Sequence, residues 1–317
     1  MKFTKVLIGI MALSIMWISC SKNNDEYENG VWTQIADFPD SERISAVGFS
    51  IGNKGYVGTG IDRNYNFLND FWEYDPETNV WTQKADFPYN ARSQAFGFSI
   101  GNKGYIGKGE NSSNDIKEFW EYDPETNTWT QKAGFKGGIL SGAFGFSIES
   151  KGYIGTIYRN FNSNSYNTVF WEYDPETNTW TQKADFPCSG RVNAVGFSIG
   201  NKGYVGTGNS NGDLFQDFWE YNPDTDVWTQ KADFPGKSRE LAIGFSIGTK
   251  GYIGLGCDKR RNLYKDFWEY SPVSNKWTKK TNLEKRSRLV GFSIGNKGYV
   301  GTGAGKDNTN CFWEFTP

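Results

Sequence analysis

The chain has 317 residues, enough for two ordinary domains or one large repetitive unit. Aromatic residues make up 17% and glycine numbers 38, against 3 Met and 10 Pro, a mixture that favours short strands and tight turns over helices because Trp, Tyr and Phe suit a pleated surface. A net charge of -2 leaves no electrostatic footprint for nucleic acid, and the complete absence of His removes imidazole bases, His-ligated metals and Ser-His-Asp chemistry.

Lys2 and Lys5 precede an apolar run from Val6 to Ile18, closed by Ser19 and Cys20. This is the layout of a secretory signal, and it is short for a membrane span. The segment WISC resembles a bacterial lipobox, with Trp17 where Leu is usual. That resemblance implies a signal peptide over residues 1–19 and a lipidated Cys20 as the mature N-terminus; an ordinary signal peptide with an incidental Cys is the alternative. Residues 20–29, Cys20 followed by the polar, acidic SKNNDEYEN, are expected to form a flexible tether. A similar stretch in Bacteroidota-type lipoproteins resembles a surface-export signal. The expected location is the cell envelope, with the protein anchored at the outer membrane through Cys20 and either periplasmic or surface-exposed.

Beyond the tether the chain repeats itself. GFSIGNKGYVGTG (48–60) returns, identical or nearly so, from Gly97, Gly145, Gly196, Gly244 and Gly291. WTQKADFP or a relative begins at Trp32, Trp81, Trp129, Trp180, Trp228 and Trp277, and FWEY places Trp72, Trp120, Trp171, Trp219, Trp268 and Trp313. Both series step by about 50 residues, so six units follow. In the first unit four strands are predicted: 44–51, 55–60, 70–75 and 80–85. Val47, Phe49 and Ile51 alternate with Ala46, Gly48 and Ser50, giving one bulky and one small face that can stack, large into small. GNKG predicts a hairpin with Gly55 at positive φ, and DPETN a type I turn. Four strands in each of six units predict an all-β fold, a six-bladed β-propeller over residues 30–317. The first repeat motif in the chain is a fourth strand (VWTQIADFP) and the last is a third (CFWEFTP), so the two ends are expected to complete one blade together.

The Tyr, Gly and Trp spacing of these units resembles kelch-type propellers, across roughly residues 30–317. DFWEYDPETNTWTQKADFP resembles more narrowly the repeat of secreted Bacteroidota kelch proteins often labelled galactose oxidase-like, with GTG where kelch blades usually carry a Gly pair. That label implies a copper-radical oxidase with His ligands, which a chain without His cannot supply. No cofactor is called for. A second kelch-fold class, the sialic acid mutarotases, needs no metal, and its chemistry could be run by Arg with Glu or Asp.

The copies differ mainly on one face. Lys54, Lys103, Lys151, Lys202, Lys250 and Lys297 repeat on the other, among acidic turns, and read as a mixed-charge surface. The loops between second and third strands vary in every copy and carry Tyr65, Phe67, Tyr158, Phe161, Tyr166, Phe215 and Tyr264, rings suited to stacking on sugars or anchoring a peptide. Arg43, Arg92, Arg191, Arg239 and Arg286 each stand five residues before the first-strand Gly, with Leu140 in the third copy. Two readings of this series stand: a cationic ring for carboxylate or sulfate ligands, or repeated ion pairs with Asp70, Glu118, Asp217 and Asp266. The third copy has Val169 at the acid position, and the sixth has Cys311, which singles out Arg286 as the Arg free for a ligand. Cys188, Cys257 and Cys311 read as free thiols, with Cys257 and Cys311 the one pair placed to oxidise.

The expected function is binding of a carbohydrate or surface protein by the variable-loop face of a monomer held at a membrane through Cys20, with no nucleic acid partner. The alternative is a metal-independent carbohydrate-active enzyme of mutarotase or lyase type; a purely structural envelope protein is the third reading.

Overall fold

The computed structural model describes residues 29–40, 42–111, 118–135, 142–160, 165–188, 190–305 and 310–317. The segment expected to be a signal peptide, Cys20 and all of the expected tether but Asn29 lie outside them. Six four-stranded antiparallel sheets form the blades of a propeller. Blade 1 runs Val47–Ile51, Lys54–Gly58, Phe71–Asp75 and Val80–Gln83, and the others repeat it. Blade 6 takes its fourth strand from the other end of the chain: Val31–Ile35 pairs antiparallel with Phe312–Thr316, in a register from Val31 opposite Thr316 to Ile35 opposite Phe312. The predicted closure is therefore present, and no blade is left with an unpaired third strand.

Stacking follows the alternation of the first strand. Val47, Phe49 and Ile51 are buried, with Gly48 and Ser50 half-buried between them. Phe49 lies against the glycines of blade 2: a Cβ built on Gly104 would stand 2.5 Å from its ring, and one on Gly97 2.3 Å from Val47. The same fit recurs from Phe98 to Gly152 (2.4 Å), Phe146 to Gly203 (2.4 Å), Phe197 to Gly251 (2.5 Å), Phe245 to Gly298 (2.3 Å) and Phe292 to Gly55 (2.4 Å). The last contact closes the ring. The hairpin expectation is corrected here: Gly52, with φ of 58°, takes the left-handed position. Gly55 is needed instead because the Phe292 ring occupies the place of a side chain.

A second set of links runs around the outside. Each fourth-strand indole N–H donates to a carbonyl of the preceding blade: Trp81 to Ala36 (3.1 Å), Trp129 to Ala85 (2.9 Å), Trp180 to Ala133 (2.8 Å), Trp228 to Ala184 (3.0 Å), Trp277 to Ala232 (2.9 Å) and Trp32 to Thr281 (2.9 Å). The turn residue two before the Trp completes the link, as where the Ala36 amide donates to Asn79 Oδ1 at 2.9 Å. Asn suits that place because Asn79 has φ of 55°.

Blade 3 departs from the expected long loop. Its second and third strands extend to ten residues each, Lys151–Asn160 and Ser165–Asp174, so much of the variable segment is a projecting hairpin. The β-branched and aromatic residues of TIYRN and SYNTV favour continued pairing.

Gly203→Ala should lower stability by about 1–3 kcal/mol through overpacking against Phe146. Adding Phe146→Leu to the same chain should recover part of that loss in urea unfolding; strictly additive losses would contradict the packing account.

Candidate functional site

The connection from each fourth strand to the next first strand carries the Arg series into the blade edge, where all five guanidinium groups are buried. Arg43 makes two bonds to Asp70, Nη1 to Oδ1 at 2.7 Å and Nη2 to Oδ2 at 2.6 Å. It also reaches Asp40 at 2.6 Å and the Thr59 carbonyl at 3.1 Å, and stacks over Phe38 at 4.6 Å. Asp70 Oδ2 accepts the Trp72 indole N–H at 2.6 Å as well. Arg191 repeats the arrangement with Asp217 (2.7 and 2.8 Å), the Thr207 carbonyl and Trp219. Arg239 does so with Asp266 (2.7 Å), the Leu255 carbonyl and Trp268. Burial pushes the carboxyls of Asp70, Asp217 and Asp266 up, but the Arg bonds and charge outweigh it and hold them below the usual carboxylate range. Of the two readings of the Arg series, the geometry in these three blades is that of internal ion pairs.

The other blades vary the theme. Arg92 keeps its bond to the Lys108 carbonyl (3.0 Å), but its Nη2, Glu118 Oε2 and Trp120 Nε1 are all buried without a hydrogen-bond partner. Burial lowers the Arg92 pKa to about 10. The extra methylene of Glu118 removes the carboxylate from the place where Asp bridges Arg and Trp. In blade 3, where Leu140 lies outside the described residues, Lys108 from blade 2 puts its ammonium 4.7 Å from the Phe135 ring, where blades 1, 2, 4 and 5 have Arg over Phe. Arg286 is 2% exposed and meets Glu284 and the Thr302 carbonyl, both at 3.4 Å, so the expectation of a free guanidinium there is corrected. Glu284 supplies the charge that Cys311 lacks.

On the lysine face five of the six hairpin lysines pair with an acid, as a mixed-charge surface requires. Lys54 pairs with Asp75 (2.6 Å), Lys103 with Asp123 (2.7 Å), Lys151 with Asp174 (2.5 Å), Lys202 with Asp224 (3.6 Å) and Lys297 with Glu314 (2.6 Å), and Lys250 donates to Ser271 (2.7 Å). Cys188, Cys257 and Cys311 are free thiols. Burial and Asp217 push the Cys188 thiol up to about 11.

Among the described residues, two concavities stand out on the variable-loop face. The first is the axial mouth, a space of about 120 Å3 ringed by Ser45, Gln94, Gly142, Asn193, Leu241 and Arg288. All six have positive φ, between 51° and 75°. Their backbones link around the axis: Ser45 N–H to Arg288 O, Gln94 to Ser45, Asn193 to Gly142, Leu241 to Asn193 and Arg288 to Leu241, at 2.8–3.2 Å. Gln94 donates to Glu110 and Asn193 to Glu240, whereas Arg288 makes no ion pair among the described residues. Below the mouth the channel continues between Ala46–Gly48 and its five counterparts, with Leu289 in place of Ala in blade 6.

The second is a cleft of about 590 Å3 between blades 4 and 5. One wall is Gly212–Leu214, the floor Gln216 and Pro235–Ser238, and the other wall Asp258–Arg260, Asn262 and Tyr264. Lys237, Lys259 and Arg260 are exposed there.

The loop aromatics divide. Tyr65 is 82% exposed. Phe215 lies over the Arg191 guanidinium at 4.2 Å and Tyr264 over that of Arg239 at 4.6 Å, so both fold back on the rim. Tyr158 and Tyr166 are placed by backbone register, opposite Asn167 and Arg159, and Phe161 lies outside the described residues. Sequence reasoning missed Arg288, Lys237, Lys259 and Arg260. Arg288 was legible as the second Arg of RSR, two places beyond the repeated one.

A copper site has no donor set here. The chain has no His, and among the described residues no three Cys, Asp or Glu side chains gather.

Glu118→Asp should restore the bridge between Arg92 and Trp120 and raise stability by about 1 kcal/mol; a lowered melting temperature would contradict this account. Arg191→Ala should cost about 3 kcal/mol by leaving Asp217 without its partner. Because the folded carboxyls of Asp70, Asp217 and Asp266 sit below their unfolded values, their contribution is present above about pH 4 and fades as pH falls through the folded values. Asp217→Asn should therefore flatten the acid limb of the stability profile, and an unchanged limb would count against the pairing.

Among known proteins, the Kelch motif family matches residues 55–88, which span the second, third and fourth strands of blade 1. No curated protein matches the chain. Of solved structures, that of YjhT is similar at a TM-score of 0.73 with 17% sequence identity, over 89% of this chain and 95% of that one. Motif, blade count and closure agree: the chain is a kelch-type six-bladed β-propeller.

Proposed function

We propose that the chain is an exported, lipid-anchored binding module that reads a carbohydrate or a surface protein with the variable-loop face of the propeller. The observation that carries this reading is the contrast between the two faces. One repeats a lysine paired within its own blade, whereas the other holds the sequence variation, the axial mouth and the 590 Å3 cleft. A scaffold that keeps its strands and varies one rim suits recognition. The anchor fits the same geometry: Val31–Ile35 runs from the lysine face toward the variable face. A tether ahead of Asn29 therefore leaves on the side opposite the variable loops. Of the arginines open to an enzyme reading, Arg43, Arg191, Arg239 and Arg286 are committed to Asp70, Asp217, Asp266 and Glu284.

The test is a glycan array and a surface-protein screen with the full chain. A ligand is expected whose affinity falls about tenfold with Arg288→Ala or Tyr65→Ala while the unfolding midpoint is unchanged. Ligands indifferent to every substitution on this face would overturn the reading. Cys20→Ala should abolish incorporation of labelled fatty acid, and labelling that persists would remove the anchor.

A further inference from the structure

The geometry of the cleft between blades 4 and 5 points to a more specific ligand, and we infer that it is a subsite for an acidic sugar, a saccharide ring bearing a carboxylate or sulfate. This rests on reading the variable-loop face as the ligand-binding surface. Lys237, Lys259 and Arg260 line the cleft, are exposed, and make no ion pair among the described residues. On the other face, by contrast, Lys54, Lys103 and Lys151 are each paired with an acid of their own blade.

The acid nearest to them is already engaged. Asp258 Oδ1 accepts the amides of Arg260 (2.8 Å) and Asn262 (2.9 Å), and Oδ2 accepts the Asn262 side-chain amide at 2.8 Å. These bonds fix the turn that presents Lys259 and Arg260. Asp213 on the opposite wall is the second carboxylate, so the lining carries three cations against two acids.

The walls are preset. Gln216 donates to the Gly236 carbonyl at 2.6 Å, holding the floor, and Tyr264 is backed by the Arg239 guanidinium. Tyr264 therefore offers an aromatic surface already ordered before a ligand arrives, beside the amide of Asn262 and the hydroxyl of Ser238. Arg260 supplies a planar fork that matches a carboxylate or sulfate edge, and the lysines supply point charges. The volume lies within the roughly 300–1,000 Å3 of small-molecule sites. An acidic protein would instead need about 800 Å2 of complementary surface on each partner. An aromatic ring beside a cluster of cations, in a cleft of this size, favours a charged sugar.

The purified full chain would be titrated calorimetrically with oligogalacturonate (carboxylate only), a carrageenan oligosaccharide (sulfate only), a neutral malto-oligosaccharide and polyglutamate. At least one acidic oligosaccharide should bind, more weakly as salt is raised, and the neutral one should not. Lys259→Ala with Arg260→Ala should weaken binding about tenfold or more. Lys54→Ala with Lys103→Ala, which removes the same charge from the opposite face, should leave it unchanged. Equal binding of the neutral oligosaccharide, equal binding of polyglutamate, no effect of the cleft substitutions, or no binding by any probe would each overturn the inference. A ligand from the array that is lost with Arg288→Ala but kept by the cleft double variant would leave the binding-module reading standing and remove this one.

Discussion

The propeller depends on one contact made six times: the first-strand Phe of each blade pressed against a glycine of the next. A ring of that size contributes on the order of 2–3 kcal/mol when buried. The contact has a direction, bulky face onto small face, so each blade needs a neighbour on both sides. The chain meets that demand by making the Phe292–Gly55 contact between blades 6 and 1 and by giving blade 6 its fourth strand from Val31–Ile35. Identical strands are the result of identical demands at six interfaces. They are a statement about packing, and the residues that differ must be read separately.

The arginine series connects this scaffold to the variable face. In every blade that has the Arg, its Nη1 reaches the carbonyl of the middle residue of the segment after the second strand: Thr59, Lys108, Thr207, Leu255 or Thr302. Those five residues all have φ between 52° and 61°. The guanidinium thus captures the backbone where the variable loop departs, and Phe215 and Tyr264 lie down on it from the loop side. A buried guanidinium, paired with a carboxylate in blades 1, 4, 5 and 6, gives those loops a fixed point of origin, which lets the rest of the loop change without disturbing the blade.

Comparing the six copies with one another gives the strands, the closure and the mixed-charge lysine face, and offers Arg–Asp pairing as one of two readings of the Arg series. What stayed hidden arises between repeats or outside them. The cleft needs Gly212 from one blade, Lys237 from a connection and Arg260 from the next blade, three positions with no shared period. The axial mouth is built from residues that differ in each copy, and its uniformity lies in backbone angles that side chains do not announce. Lys108 stands over Phe135 from a neighbouring blade, a replacement no alignment of repeats would pair. Gly55 looked like a turn glycine because it sits in a hairpin, whereas the ring that requires it comes from blade 6.

The closing strand also sets how the molecule carries load. Val31–Ile35 enters from the lysine face and runs toward the variable loops, hydrogen-bonded along its length to Phe312–Thr316. If the N-terminus is held and a ligand pulls from the opposite rim, the tension runs along that strand, and its pairs are sheared together, not peeled one at a time. Trp32, bonded to Thr281 and packed against Phe267 and Phe315, adds a side-chain cleat at the same seam. The joint that completes the ring is therefore also the one that would bear force between an anchored end and a captured partner.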